Sequence, residues 1–252
     1  MFIESMTNTY DMICSSTLKA RSEAPWEGES QPRDFILGGL LKVAFLIDGF
    51  NVYHSMKETL ANQKAKHVKW LDYRRFCESL ITDLPYFDKL SIVTGVYYFS
   101  ALATHQSDKS VVHRHLLYID ALKSTGVNVV LGNFKRKNAY CRNCKTSYFV
   151  HEEKETDINI ACYLLKLFLD NTCDTAVLLS GDTDLIAAIS MAKQLFPANK
   201  IIVGFPYLRS NHHFKQVADF TFDIKARRYE RYQLANPVIL PDGSKLSKPP
   251  TW

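Results

Sequence analysis

The stretch from Val177 to Leu185 constrains this chain more than any other: Val-Leu-Leu-Ser-Gly-Asp-Thr-Asp-Leu is an apolar run that ends in two carboxylates one residue apart. Asn171 and Asp174 precede the run and Gly181 follows it, the pattern of a strand covered on both faces within a parallel sheet. From Leu185 the period becomes helical, with Leu185, Ile186, Ile189 and Ala192 on one face. Asp182 and Asp184 therefore stand where strand gives way to helix. The positive helix end favours acids there, and open α/β sheets bind ligands at that edge. Taken alone, Asp182 could be no more than a helix cap. A second strand, Val43 to Ile47, also stops at an acid, in Ile47-Asp48-Gly49-Phe50-Asn51. If the two strands are neighbours, Asp48, Asp182 and Asp184 converge, and each is pushed toward protonation unless a cation sits between them. Oxygen-only ligands suit Mg²⁺ or Mn²⁺ rather than zinc.

The rest of the chain alternates strands with helices. Strands are expected over Lys42 to Asp48, Leu90 to Phe99, Val127 to Leu131, Val177 to Ser180 and Ile201 to Phe205, with Ala218 to Phe222 as an edge strand. Helices are expected over Asn51 to Lys64, Leu71 to Ile81, Ser110 to Ser124, Thr156 to Leu169, Leu185 to Leu195 and, as a basic terminal helix, Ile224 to Gln233. A short one is expected over Ser210 to Val217. Such alternation implies right-handed βαβ crossovers, hence an α/β, doubly wound, mostly parallel sheet of about five strands with helices on both faces. Residues 1–40, polar and aperiodic, read as a poorly ordered extension. Beyond Asn236, Pro237, Pro241, Pro249 and Pro250 suggest an extended arm that packs loosely or not at all.

At 46% hydrophobic and 23% charged, the composition is that of an ordinary globular protein, and no apolar run reaches the length of a membrane span. The start of the chain lacks the basic-then-apolar pattern of a signal peptide, so the expected location is cytoplasmic. A net charge of +5 around an acidic centre fits a polyanionic substrate gripped through its phosphates. There is no G-x-G-x-x-G after a strand and no G-x-x-x-x-G-K-S/T, so dinucleotide and P-loop nucleotide binding are unsupported. A phosphatase with Asp48 as nucleophile would want an acid two positions later, where Phe50 stands.

A fourth acid comes from Glu152-Glu153-Lys154-Glu155-Thr156-Asp157: Asp157, one residue before Ile158, can approach the buried face of an amphipathic helix. Glu152, Glu153 and Glu155 read instead as a solvated helix start. Three segments in order, Ile47-Asp48-Gly49-Phe50-Asn51, Glu153 to Ile158 and Leu179-Ser180-Gly181-Asp182-Thr183-Asp184-Leu185, resemble the NYN domain, a PIN-like nuclease family of the LabA type, over residues 41–223. The resemblance implies a PIN-like fold and RNA cleavage, as an endoribonuclease, dependent on Mg²⁺ or Mn²⁺. It implies Asp48, Asp157, Asp182 and Asp184 as the metal-binding and catalytic acids, with Asn51 and Ser180 contacting a phosphate or a water. The products would carry a 5′-phosphate and a 3′-hydroxyl. Two positions depart from the family pattern: Glu155 stands where glycine is frequent, and Ala161 where a second helix acid would be. The rival reading is an RNA-binding module that keeps the sheet with little or no catalysis.

Lys135, Arg136 and Lys137, with Arg142 and Lys145, are candidates for guiding an RNA backbone, and Tyr140 or Tyr148 for stacking a base. Cys141-Arg142-Asn143-Cys144 is a knuckle within 138–151, and with His151 it supplies three candidate ligands for a structural zinc. The fourth would come from His105, His113, His115 or Cys173. Two unligated thiols are the plainer alternative.

Overall fold

The two acid-tipped strands lie side by side. The structure, a computed structural model, describes residues 40–87 and 90–252, so the extension expected over 1–40 lies almost wholly outside the described residues. In chain order the elements are β1 (Lys42–Asp48), α1 (Gly49–Ala61), α2 (Tyr73–Asp83), β2 (Ile92–Ala101), α3 (Lys109–Ser124), β3 (Asn128–Cys141), β4 (Thr146–Lys154), α4 (Thr156–Leu169), β5 (Thr175–Leu179), α5 (Ile186–Leu195), β6 (Lys200–Phe205), β7 (Phe220–Asp223), α6 (Ala226–Arg231) and a small pair, β8 (Val238–Ile239) and β9 (Lys245–Leu246). The sheet runs β4-β3-β2-β1-β5-β6-β7, all parallel except the β3–β4 pair. From β1 the chain winds outward through β2 and β3, and from β5 outward through β6 and β7. The winding direction therefore reverses between β1 and β5, a topological switch point.

The alternation within the central strands builds two cores at once. Val43, Phe45, Ile47, Val177 and Leu179 pack against Val52 and Met56 of α1, Phe76 of α2 and Tyr118 of α3. Ala44, Leu46, Ala176 and Leu178 face the other way, onto Ile160, Leu164 and Phe168 of α4 and Ile189 of α5. A strand with both faces buried has no polar alternation to show, which is why these runs are continuously apolar. Aspartates cap three helices: Asp48 accepts from Asn51 N, Asp72 from Arg75 N and Asp108 from Ser110 N.

Two expectations are corrected. The sheet has seven strands because β3 runs on to Cys141 and turns back as β4, forming a long antiparallel hairpin where only a short strand and a basic segment were expected. The hairpin beyond Asn133 is largely exposed, so no apolar run marks it. The tail after Asn236 is not a loose arm: Val238 and Leu246 are buried in the core that holds Trp70 and Tyr229, and Trp252 packs edge-on against Trp70 and Tyr118, with ring centroids 6.1 and 5.4 Å apart. Its apolar residues follow no period, so their partners become evident only in three dimensions.

Candidate active site

The register that pairs Ile47 with Leu179 brings the two strand ends to one place. Asp48 is 4% exposed. Its Oδ1 accepts from Asn51 N at 2.9 Å and its Oδ2 from Ser180 Oγ at 2.8 Å. The Ser180 hydroxyl in turn accepts from Asp182 N at 3.0 Å, and Asn51 Oδ1 accepts from Gly181 N at 3.1 Å. Asn51 and Ser180 thus fasten the end of β1 to the end of β5. Ser180 is completely buried and so cannot touch a substrate, while Asn51, its carbonyl oxygen engaged by the Gly181 N–H, lines the cavity beside Asp48. Burial pushes the Asp48 carboxyl up despite its two hydrogen bonds, and the charges of Asp182 and Glu153 add to the effect.

A cavity of about 410 Å³ opens over these strand ends, lined by Asp48, Asp157 and Asp182 together with Glu153, Arg209 and Phe134. Asp157 enters it from the first turn of α4. Its carboxyl is pushed up to about 6, by burial first and then by the charges of Asp48, Asp182, Glu153 and Asp184. Asp182 caps a 3₁₀ turn, Thr183–Leu185, by accepting from Asp184 N at 3.1 Å. Asp184 itself is exposed and stands at the rim. Asp48, Asp157 and Asp182 are brought together as expected, while Asp184 is close enough to be felt electrostatically.

Among the described residues no three His, Cys, Asp or Glu side chains already close on a single point as a metal shell would. The donors nonetheless fit a hard divalent cation. They are carboxylate oxygens from separate elements around one cavity, and their mutual repulsion, visible in the raised Asp157 and Asp48, is what a cation would relieve.

Among the cavity residues that sequence reasoning missed, Glu153 and Arg209 carry charge. Glu153 belongs to β4, not to a helix start; its Oε1 accepts from Thr156 N at 3.1 Å and from the Thr156 hydroxyl. Period-two reading of Phe149, His151 and Glu153 would have placed it on one face of a strand. Arg209 comes from the loop after β6, whose carboxyl end opens onto the same sheet edge. It pairs with Glu58 through Nη2 at 2.6 Å, and its buried Nε–H has no hydrogen-bond partner.

Glu155 stands in a backbone conformation that glycine takes more readily than glutamate. It adopts φ 80°, ψ −17°, the left-handed region that glycine enters freely. Its Oε2 accepts from Asn133 Nδ2 at 2.8 Å. We expect Glu155→Gly to change stability by no more than about 1 kcal/mol, whereas Glu155→Val loses about 1–2 kcal/mol because a branched Cβ crowds that conformation. Urea unfolding of the two variants checks the difference, and equal behaviour would contradict it.

The hairpin separates the remaining candidates. Lys135 is exposed, Lys137 pairs with Glu152 at 2.8 Å, and Arg136 lies 3.2 Å over the Phe149 ring. Cys141 and Cys144 are free thiols at the tip, and a hydrogen bond from Cys141 draws the Cys144 thiol down. His151 pairs in register with Arg136, five positions from the Cys141–Thr146 pair. At about 3.4 Å per residue that is roughly 17 Å, so the structure does not bring His151 to the two cysteines and the three form no zinc set. Of the other proposed ligands, Cys173 is buried in the core behind α4, His115 is within 3.5 Å of Ser100 Oγ, and His105 stacks on His151.

A doubly wound, mostly parallel sheet with carboxylates clustered over its switch point defines an α/β protein whose site lies at the carboxyl edge of its strands. The NYN domain model matches residues 42–225, and the chain belongs to the NYN domain family. NYN domains are typically nucleases, and those nucleases generally use divalent metals. The chain is also similar to a Vibrio parahaemolyticus protein of unknown function, at 18% identity and TM-score 0.47, over 73% of this chain and 93% of that one. Among curated proteins none matches it. No helix among the described residues is long and apolar enough to cross a membrane.

Proposed function

We propose that this chain is a ribonuclease that hydrolyses RNA phosphodiester bonds at a Mg²⁺ or Mn²⁺ centre held by Asp48, Asp157 and Asp182. The observation that carries the reading is the convergence of carboxylates from β1, β4, α4 and the turn after β5 on one cavity. Bound there, the cation would supply an activated water and offset charge on the cleaved phosphate, leaving a 5′-phosphate and a 3′-hydroxyl.

The chain's own residues do the positioning. The Ser180 hydroxyl and the Asn51 N–H hold Asp48 so that each carboxylate oxygen keeps a lone pair for the cavity. Ser180 also fixes the backbone of Asp182, so two acids from different strands move as one. Arg209 on the cavity wall is the guanidinium suited to a phosphate oxygen. Asp184 at the rim adds negative potential without lining the cavity.

Labelled single-stranded RNA incubated with Mn²⁺ tests this. The wild-type protein should cleave, and Asp182→Asn should fall by at least about 10²-fold, more than the loss typical of a second-layer partner. Equal cleavage by both proteins would assign the activity to a contaminant. Cleavage by neither would favour the binding-module reading, which the missing acid at Ala161 suits.

A further inference from the structure

Pleating divides the β3–β4 hairpin into two unlike faces. On one face lie the register pairs Phe134 with Glu153, Arg136 with His151, Asn138 with Phe149 and Tyr140 with Ser147. The other face carries Lys135 with Glu152, Lys137 with Val150 and Ala139 with Tyr148. The first face begins inside the acid cavity, since both Phe134 and Glu153 line it. From there the rings continue outward. His105 packs on Phe134 at 4.7 Å and lies nearly parallel to His151 at 4.1 Å, with an interplanar angle of 8°. Next comes Arg136 over Phe149 at 3.2 Å, and then Tyr140. Phe149 is 56% and Tyr140 59% exposed, a large apolar surface to leave in water without a use.

We propose that this face is a track for the single-stranded part of the substrate that flanks the scissile phosphate, its bases stacking in turn on the His105–His151 pair, the Arg136–Phe149 pair and Tyr140. The assignment rests on the proposed RNA hydrolysis for the direction of the strand, which leads into the cavity. Three features select a nucleic-acid strand over a protein groove. The rings are flat and spaced along an extended line, Arg136 presents a guanidinium plane that stacks on bases as well as attracting phosphates, and beyond Glu153 the register pairs of this face include no acid. Phe134 to Tyr140 spans about 20 Å at strand rise, room for about six nucleotides at about 3.4 Å each. A duplex cannot use the track, because its bases are already stacked on one another.

The test is binding in EDTA, which separates it from cleavage. Fluorescence anisotropy would compare an oligouridylate of about four nucleotides with one of about twelve. Wild-type affinity should rise with length, and Tyr140→Ala with Phe149→Ala should erase that rise, costing about 10-fold per lost stack on the longer strand. Tyr148→Ala, on the opposite face, should keep it. Thermal unfolding of the variants, whose changed rings are exposed, confirms that they fold. The proposal is overturned if Tyr148→Ala weakens binding as much as the double variant, if the double variant binds like wild type, or if duplex RNA binds as tightly as the single strand. Tight capture of a protein partner with no length-dependent RNA binding would likewise overturn it. Should the wild type fail to cleave with Mn²⁺ yet keep the length dependence, hydrolysis falls and the track stands. Cleavage with a fully active double variant gives the reverse.

Discussion

Asp157→Asn should abolish Mn²⁺-dependent RNA cleavage while making the metal-free protein more stable. The two effects have one origin. In the folded chain the Asp157 carboxyl is pushed up to about 6 from an ordinary value of 3.8, by burial and by the surrounding acids. An acid raised on folding binds its proton more tightly in the native state. Its contribution to stability is therefore fully present below about pH 4 and is lost as pH rises through about 6. Above that, the ionised group is a net cost, which a neutral isostere removes. At about 1.4 kcal/mol per pH unit, discounted for the solvent that reaches a half-buried side chain, the gain at pH 7.5 in EDTA is about 1–2 kcal/mol. For a chain of this size that is roughly 3–6 °C in Tm. The gain should shrink toward pH 4, and Mn²⁺ should raise the Tm of the wild type more than that of the variant. A variant that gains nothing at neutral pH and still cleaves would remove Asp157 from the acid cluster.

Gly181→Ala should damage both stability and cleavage, although the substitution adds a single methyl. A Cβ at position 181 would stand 2.1 Å from the Arg209 carbonyl oxygen and 3.1 Å from its carbonyl carbon. The obstacle is backbone, so it cannot swing aside as a side-chain end would. Either the loop carrying Arg209 retreats or the strand end carrying Asp182 does. The hydrogen bond from Gly181 N to Asn51, which helps lock β1 to β5, is strained in both cases. Overpacking of this kind costs about 1–3 kcal/mol, and a misplacement of about 1 Å in catalytic groups costs about 10²-fold in rate. Urea midpoints and initial cleavage rates report the two losses separately. Activity within a few-fold of wild type would show that the Arg209 loop yields freely and has no part in holding the phosphate.

The central sheet could be read from sequence because its physics is local. Runs such as Val43 to Ile47 and Ala176 to Leu179 are apolar throughout when both faces are covered, and the acid that ends each run marks the functional edge. Asp48, Asp157 and Asp182 followed from those run ends and from the helix that starts at Thr156. Glu153 was misread because carboxylates before a helix are so well explained by the helix dipole that the strand beneath them went unnoticed. Arg209 had no local mark at all. It reaches the cavity because β6 ends at the same edge as β1 and β5, a fact of topology. The tail failed for the same reason: Val238, Leu246 and Trp252 acquire partners only when Trp70, Tyr118 and Tyr229 have been gathered from distant parts of the chain.

β3 is one strand with two employments. Its first residues pair in parallel with β2 through Gly132, while the residues after it leave the sheet's core and pair only with β4. Gly132 leaves no room for a side chain, since a Cβ there would meet the Lys154 carbonyl at 2.5 Å. The outboard ribbon is therefore clamped at its root and unencumbered at its tip. Its length and its surface residues can drift over generations without disturbing the spacing of the acids, so relatives could exchange the strand they grip while the hydrolytic centre stays the same.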